Sequence, residues 1–129
     1  MRTAPKTGLA ACRNGASAIE TALVLTIFLG LLFGIVSFSL VLWTQASLHF
    51  AVQAAARCAS VNATTCGSGS ATQTYALSKY YGQGLGGINP FTYTATACGH
   101  TVTADYTYKL SIPFYGNYPL SLSATACFP

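Results

Sequence analysis

From Thr21 to Trp43 the chain reads TALVLTIFLGLLFGIVSFSLVLW, with no charged residue. About 20 apolar residues in a helix cross the roughly 30 Å hydrocarbon core of a bilayer. Helices of globular proteins average only ~10–14 residues, so this run predicts a membrane-spanning helix. Arg2, Lys6 and Arg13 precede it and no cation follows closely. That asymmetry predicts a cytoplasmic N-terminus. Trp43 falls at the outer end of the run, where interfacial aromatics collect.

The helical pattern does not stop at Trp43. No proline lies between residues 6 and 89. TQASLHFAVQAAAR (44–57) is rich in helix formers, and Leu48, Val52 and Ala55 share one face. One continuous helix over about 16–57 is therefore predicted. At 1.5 Å per residue it is roughly 60 Å long, twice what a bilayer needs, so its outer half must pack against protein.

Charge narrows the function classes. Only 6 % of the 129 residues are charged, against roughly a quarter in an ordinary soluble domain. The net charge of +4 comes from six Lys/Arg and two Asp/Glu, and half of the cations lie in the first 15 residues. Six scattered cations form no basic patch, so no nucleic-acid partner is expected. Glu20 and Asp105 are too few for a paired-carboxylate catalyst or a carboxylate metal cage. An enzyme is not expected, nor a cofactor. His49 and His100 are isolated and there is no CxxC, so no metal site is expected.

Beyond Ser60 the composition changes. Residues 61–74 are rich in Thr, Ser, Asn and Gly and read as a loop. Thr74–Tyr81 reads as a short helix and Gly82–Gly87 as a glycine loop. Three segments then alternate with period two: 93–98, 102–108 and 120–126. Such alternation marks half-buried antiparallel strands, with Pro113 and Pro119 bracketing an aromatic link between two of them. The expected fold class is α+β: a long N-terminal helix, then a small domain with a short helix and an antiparallel sheet of three to four strands. Cys12 lies near the N-terminus. Cys58, Cys66, Cys98 and Cys127 fall on the outer side, where four cysteines allow three pairings. Cys58–Cys66, closing the turn after the helix, and Cys98–Cys127, tying the first strand to the last, are the favoured pair.

Two further features concern the span. Glu20 at its inner edge is costly there and is a functional candidate by default. Ala18, Ala22, Thr26, Gly30 and Gly34 recur every fourth residue, a small-residue stripe of the kind that lets helices approach closely in lipid.

RNGASAIETALVLTIFLGLLFGI, Arg13 to Ile35, resembles the N-terminal segment of TadE-like minor pseudopilins of the Tad (Flp) type IV pilus system. FAVQAAARCAS (50–60), VTADYTYKLSIPF (102–114) and LSLSATACFP (120–129) are similar to later parts of such proteins. Thr21 departs from the aromatic usual after the glutamate. The resemblance implies a basic leader over 1–15, cleaved between Gly15 and Ala16 by a prepilin peptidase on the cytoplasmic side. Glu20 would then be fifth in the mature chain and would neutralise the new amine at Ala16, one helical turn away, or that of a neighbouring subunit. It further implies a protein of the bacterial inner membrane, spanning it over about 21–43. Residues 58–129 would form the periplasmic or extracellular domain. Its expected partners are other minor pilins, the major pilin and inner-membrane lipid, with cell adhesion the role expected of an exposed pilus. The competing reading is an uncleaved signal-anchored envelope protein whose outer domain binds a periplasmic partner.

Several motifs are rejected on context. Gly82, Gly84 and Gly87 satisfy G-x-G-x-x-G but lack the strand before, the helix after and the acid on a ribose. Leu9–Cys12 resembles a lipobox without an apolar region before it. Asn62-Ala63-Thr64 is a glycosylation sequon by form only. His100 and Asp105 have no nucleophile elbow beside them.

Overall fold

A computed structural model describes residues 10–112 and 116–129, with backbone only at 10–14, 16 and 112. The first nine residues of the expected leader and the predicted bracket at Pro113 lie outside the described residues, as does the side chain of Cys12. The elements, in order, are α1 (Ala10–Val61), α2 (Ala63–Cys66), α3 (Gly69–Lys79), β1 (Phe91–Thr96), β2 (Gly99–Ile112) and β3 (Gly116–Phe128). The chain divides into two compact units, one ending at Val36 and one from Ser37 to Pro129. The fold is α+β, as the sequence implied.

The first unit is helix α1 as far as Val36. Its apolar side chains are bare: Ile19, Leu23, Ile27, Leu31 and Ile35 are each more than 60 % exposed. A core helix of a soluble protein buries such residues. Here the chain itself leaves them uncovered, which fits a helix whose solvent is lipid.

In the second unit α1 lies across a three-stranded antiparallel sheet of order β1-β2-β3. From Val41 onward the helix turns one face inward. Leu48, Ala51, Val52, Ala55 and Ala56 are buried against Phe91, Val102, Ala104, Leu122 and Ala124. Alanines on both sides let helix and sheet approach closely, while Leu48, Val52 and Val102 fill the space between. The sheet register explains the face: Ala104 pairs with both Phe91 and Ala124, and Val102 with Tyr93 and Ala126. Period-two alternation sends the intervening Thr92, Thr103 and Thr125 to the other side.

Four local readings are corrected. First, α1 extends to Val61, past the expected end near residue 57, because nothing in Cys58–Val61 breaks a helix; Asn62 N–H still donates to Cys58 O. At its other end α1 already includes Ala10–Gly15. Second, residues 61–74 are mostly not loop. Their polar residues are helix caps: Asn62 accepts from Thr65 N–H, and Ser68 accepts from Ala71 N–H. Such side chains satisfy the unpaired donors of a first turn. Third, α3 starts at Gly69 and ends at Lys79, earlier than the predicted 74–81 helix. Fourth, Pro119 is inside β3, opposite Lys109. β3 is an edge strand, where the missing N–H costs no ladder bond.

Candidate functional site

The site candidates fall on α1 and on the cysteine-bonded domain. On α1, Gly15 and Ala16 are in helical backbone, and a Cβ at Gly15 would meet nothing within 4 Å. Glu20 is exposed one turn further on. Four residues of helix advance about 6 Å, so Glu20 and Ala16 belong to the same face.

Ala18, Ala22, Thr26, Gly30 and Gly34 form a continuous exposed strip. Cβ atoms built on Gly30 and Gly34 would meet nothing within 4 Å. Thr26 donates its hydroxyl to Ala22 O at 2.8 Å, and Thr21 donates to Ser17 O at 2.9 Å. Both hydroxyls are satisfied inside the helix. The strip therefore offers a shallow, hydrogen-bond-neutral groove, the form of surface against which a second helix packs closely in lipid.

The outer domain holds both disulfides. Cys58 of α1 is bonded to Cys66 of α2, and Cys98 of the β1–β2 turn to Cys127 of β3, with Cα–Cα distances of 5.8 and 6.4 Å. These are the pairs favoured from sequence. The first fixes the reversal after α1. The second joins the β1–β2 turn to the far edge strand.

The rejected motifs receive structural explanations. Gly82, Gly84 and Gly87 follow α3 and precede a strand, and Gly87 has φ +82°. Asn62 serves as a helix cap. His100 and Asp105 are five residues apart on β2, hence on opposite faces. His100 Nδ1 is 2.6 Å from Tyr93 Oη, and His49 is 3.1 Å from Gln45 Nε2. Among the described residues no three His, Cys, Asp or Glu side chains group as metal ligands.

Sequence reasoning missed two arrangements. One is the joint between α1 and the loop after α3. Trp43 Nε1–H donates to Tyr81 O at 3.0 Å, and Tyr81 N–H donates to Ser47 Oγ at 2.7 Å. Tyr80 beside it is pushed up to about 12 by burial. The nearby phenols of Tyr106 and Tyr108 add to this, and a hydrogen bond with Thr44 opposes it. The other is an open cavity of about 500 Å³ between the last turns of α1, Tyr75 and Phe128, with Arg57 and Phe50 on its wall. Both join residues from separate elements of the chain, so no local pattern announces them.

Among the described residues, one N-terminal apolar helix is long enough to cross a membrane and suggests membrane anchoring. Residues 15–57 match the family model described as TadE-like protein. The match begins at Gly15, covers about a third of the chain, and identifies that segment as TadE-like, as its sequence resemblance implied. Comparison with curated proteins and with solved structures gives no match.

Proposed function

We propose that this chain is a minor pilin-like subunit for assembly of Tad (Flp) pili, matured by prepilin peptidase cleavage between Gly15 and Ala16. The carrying observation is the coincidence of the TadE-like match, starting at Gly15, with a helix whose apolar side chains are left bare. Cleavage after Gly15 frees an amine at Ala16. Glu20, on the same helical face, neutralises it and sets register against neighbouring helices, since pairing offsets the cost of holding either charge in an apolar setting. The strip Ala22, Thr26, Gly30 and Gly34 is the packing face. The precursor sits in the inner membrane with its N-terminus inside and its disulfide-bonded domain in the periplasm. Its partners are the peptidase, other minor pilins and the major pilin. Its role is assembly rather than catalysis.

The test is intact mass with N-terminal sequencing of protein taken from membranes, with and without the peptidase. A chain starting at Ala16 only when the peptidase is present supports the reading. A chain still carrying residues 1–15 in both strains refutes it and leaves a signal-anchored envelope protein.

A further inference from the structure

We propose that the outer domain also docks on the lipid surface, through Tyr81 and, on the β2–β3 hairpin, Tyr118 and Leu120, beside the point where Trp43 leaves the membrane. This rests on the membrane-anchor reading of α1 and goes beyond it.

Trp43 closes the apolar run, and its side chain is 61 % exposed. Its indole N–H is engaged by Tyr81 O, while Tyr81 N–H bonds Ser47 one turn further along α1. The loop after α3 is thereby clamped against α1 at the level of Trp43. The Tyr81 ring, 6.5 Å from that of Phe50, remains 63 % exposed. Aromatic rings with an apolar body in the open and a polar end for water or headgroups are what membrane interfaces select.

The hairpin arrives at the same level from the other side. Phe128 borders the cavity shared with Arg57 and Val61, near the C-terminal end of α1. Ser123 O accepts from Gln45 Nε2 at 2.8 Å. Going from Phe128 back to Ser123, β3 therefore runs toward the N-terminal part of α1. A strand advances about 3.3 Å per residue, so Leu120 and Tyr118 lie roughly 10 and 16 Å beyond Ser123 along the strand. Gln45 is only two helical residues, about 3 Å, from Trp43. Even an oblique crossing brings Leu120 and Tyr118 level with Trp43 or past it.

Leu120 and Tyr118 share the sheet face of buried Leu122 and Ala124, yet they are 41 % and 56 % exposed. The apolar face thus continues past what this chain covers. Lys109, exposed and paired with Pro119, lies on the opposite face of the same strand end. Apolar and aromatic side chains at the level where the span ends fit a phospholipid interface.

Trp43 is the sole tryptophan, which makes a depth measurement direct. The full chain is reconstituted in phosphatidylcholine–phosphatidylglycerol vesicles, with or without phosphatidylcholine brominated high on its acyl chains. Variants keep Trp43, so that its bond to Tyr81 O stays intact, and add Tyr81→Trp, Tyr118→Trp or, as an exposed control, Val61→Trp, the emission of the native chain being subtracted. Emission from positions 81 and 118 is expected to fall about twofold on brominated lipid, as at an interfacial depth, and to resist iodide. Position 61 should show the reverse. Quenching of native Trp43 without quenching at 81 and 118 overturns the docking while leaving the anchor intact. Shielding of position 118 from iodide that grows with protein density, without bromine quenching, also overturns it and assigns the surface to a second copy. Failure of bromolipid to quench Trp43 itself overturns both readings.

Discussion

Removing the Cys98–Cys127 bond is expected to cost about 3–4 kcal/mol. The bond closes a separation of 29 residues. Restricting a loop of that size in the unfolded chain corresponds to about 3.6 kcal/mol in the chain-entropy picture. Cys98 is exposed and Cys127 half-buried, so replacing both by Ala removes few packed contacts and leaves the constraint as the main loss. The 93 residues from Ser37 onward carry about 5–14 kcal/mol by the usual per-residue range, so the loss is a large share. The assay is urea unfolding of the full chain in mild detergent, followed by Trp43 emission, since its bond to Tyr81 O breaks when the domain opens. With a slope near 1 kcal/mol/M, the midpoint of Cys98→Ala/Cys127→Ala should fall by about 3 M. A shift below about 0.5 M would refute the reasoning, for it would mean that the unfolded chain already keeps these strand ends together.

Three other outcomes follow from the same structure. Glu20→Ala should leave membrane insertion unchanged and reduce piliation, scored by fractionation and by electron microscopy; normal piliation would remove the pairing role. Tyr80 is held neutral with its pKa raised from 10 to about 12. Its contribution is therefore full below pH 10 and is lost as pH rises through about 12, and thermal melts of Tyr80→Phe between these values should fall less steeply than those of the native chain. Gly99 has φ +128° and a Cβ there would collide with Phe128 O. Gly99→Ala should cost about 1–3 kcal/mol from backbone strain alone, read in the same urea assay, and a neutral result would mean that the β1–β2 turn rearranges freely.

What was legible in the sequence was whatever a local period or a residue count encodes. The uncharged run after Glu20 gave the apolar helix. Alternation over 93–98, 102–108 and 120–126 gave the strands and their inward faces, because side chains on a strand reverse at each step, although Ala97 and Cys98 lie in the turn after β1. The four outer cysteines gave their pairing because one pair flanks a turn and the other brackets the sheet. Asn62 and Ser68 were misread because the residues that favour loops are also those that cap helices. Pro119 was misread because its tolerance depends on lying at a sheet edge, and strand order is not written in the strand. The Trp43–Tyr81 bond spans 38 positions, and only the packing of α3 against the sheet brings its partners together.

One helix therefore serves two environments, and its composition changes where they change. Up to Val36 its large residues, Leu, Ile and Phe, are bare on every side. That arrangement is tolerable only where the surroundings are apolar, since such a surface in water marks an interaction site or an aggregation hazard. From Ala51 to Ala56 the inward positions are mostly alanine and wholly buried; here the partner is a sheet, and small side chains bring it close. Between them, Val41 and Thr44 are already buried while Leu42 and Trp43 remain exposed. The last turn of the 21–43 run thus belongs to both environments. Its inward face is the first layer of the domain core, and its outward face ends the apolar surface. Lengthening or shortening α1 at this turn would shift the domain's apolar residues relative to Trp43 by 1.5 Å and about 100° per residue. The pilin-like reading and lipid docking both need that phase preserved.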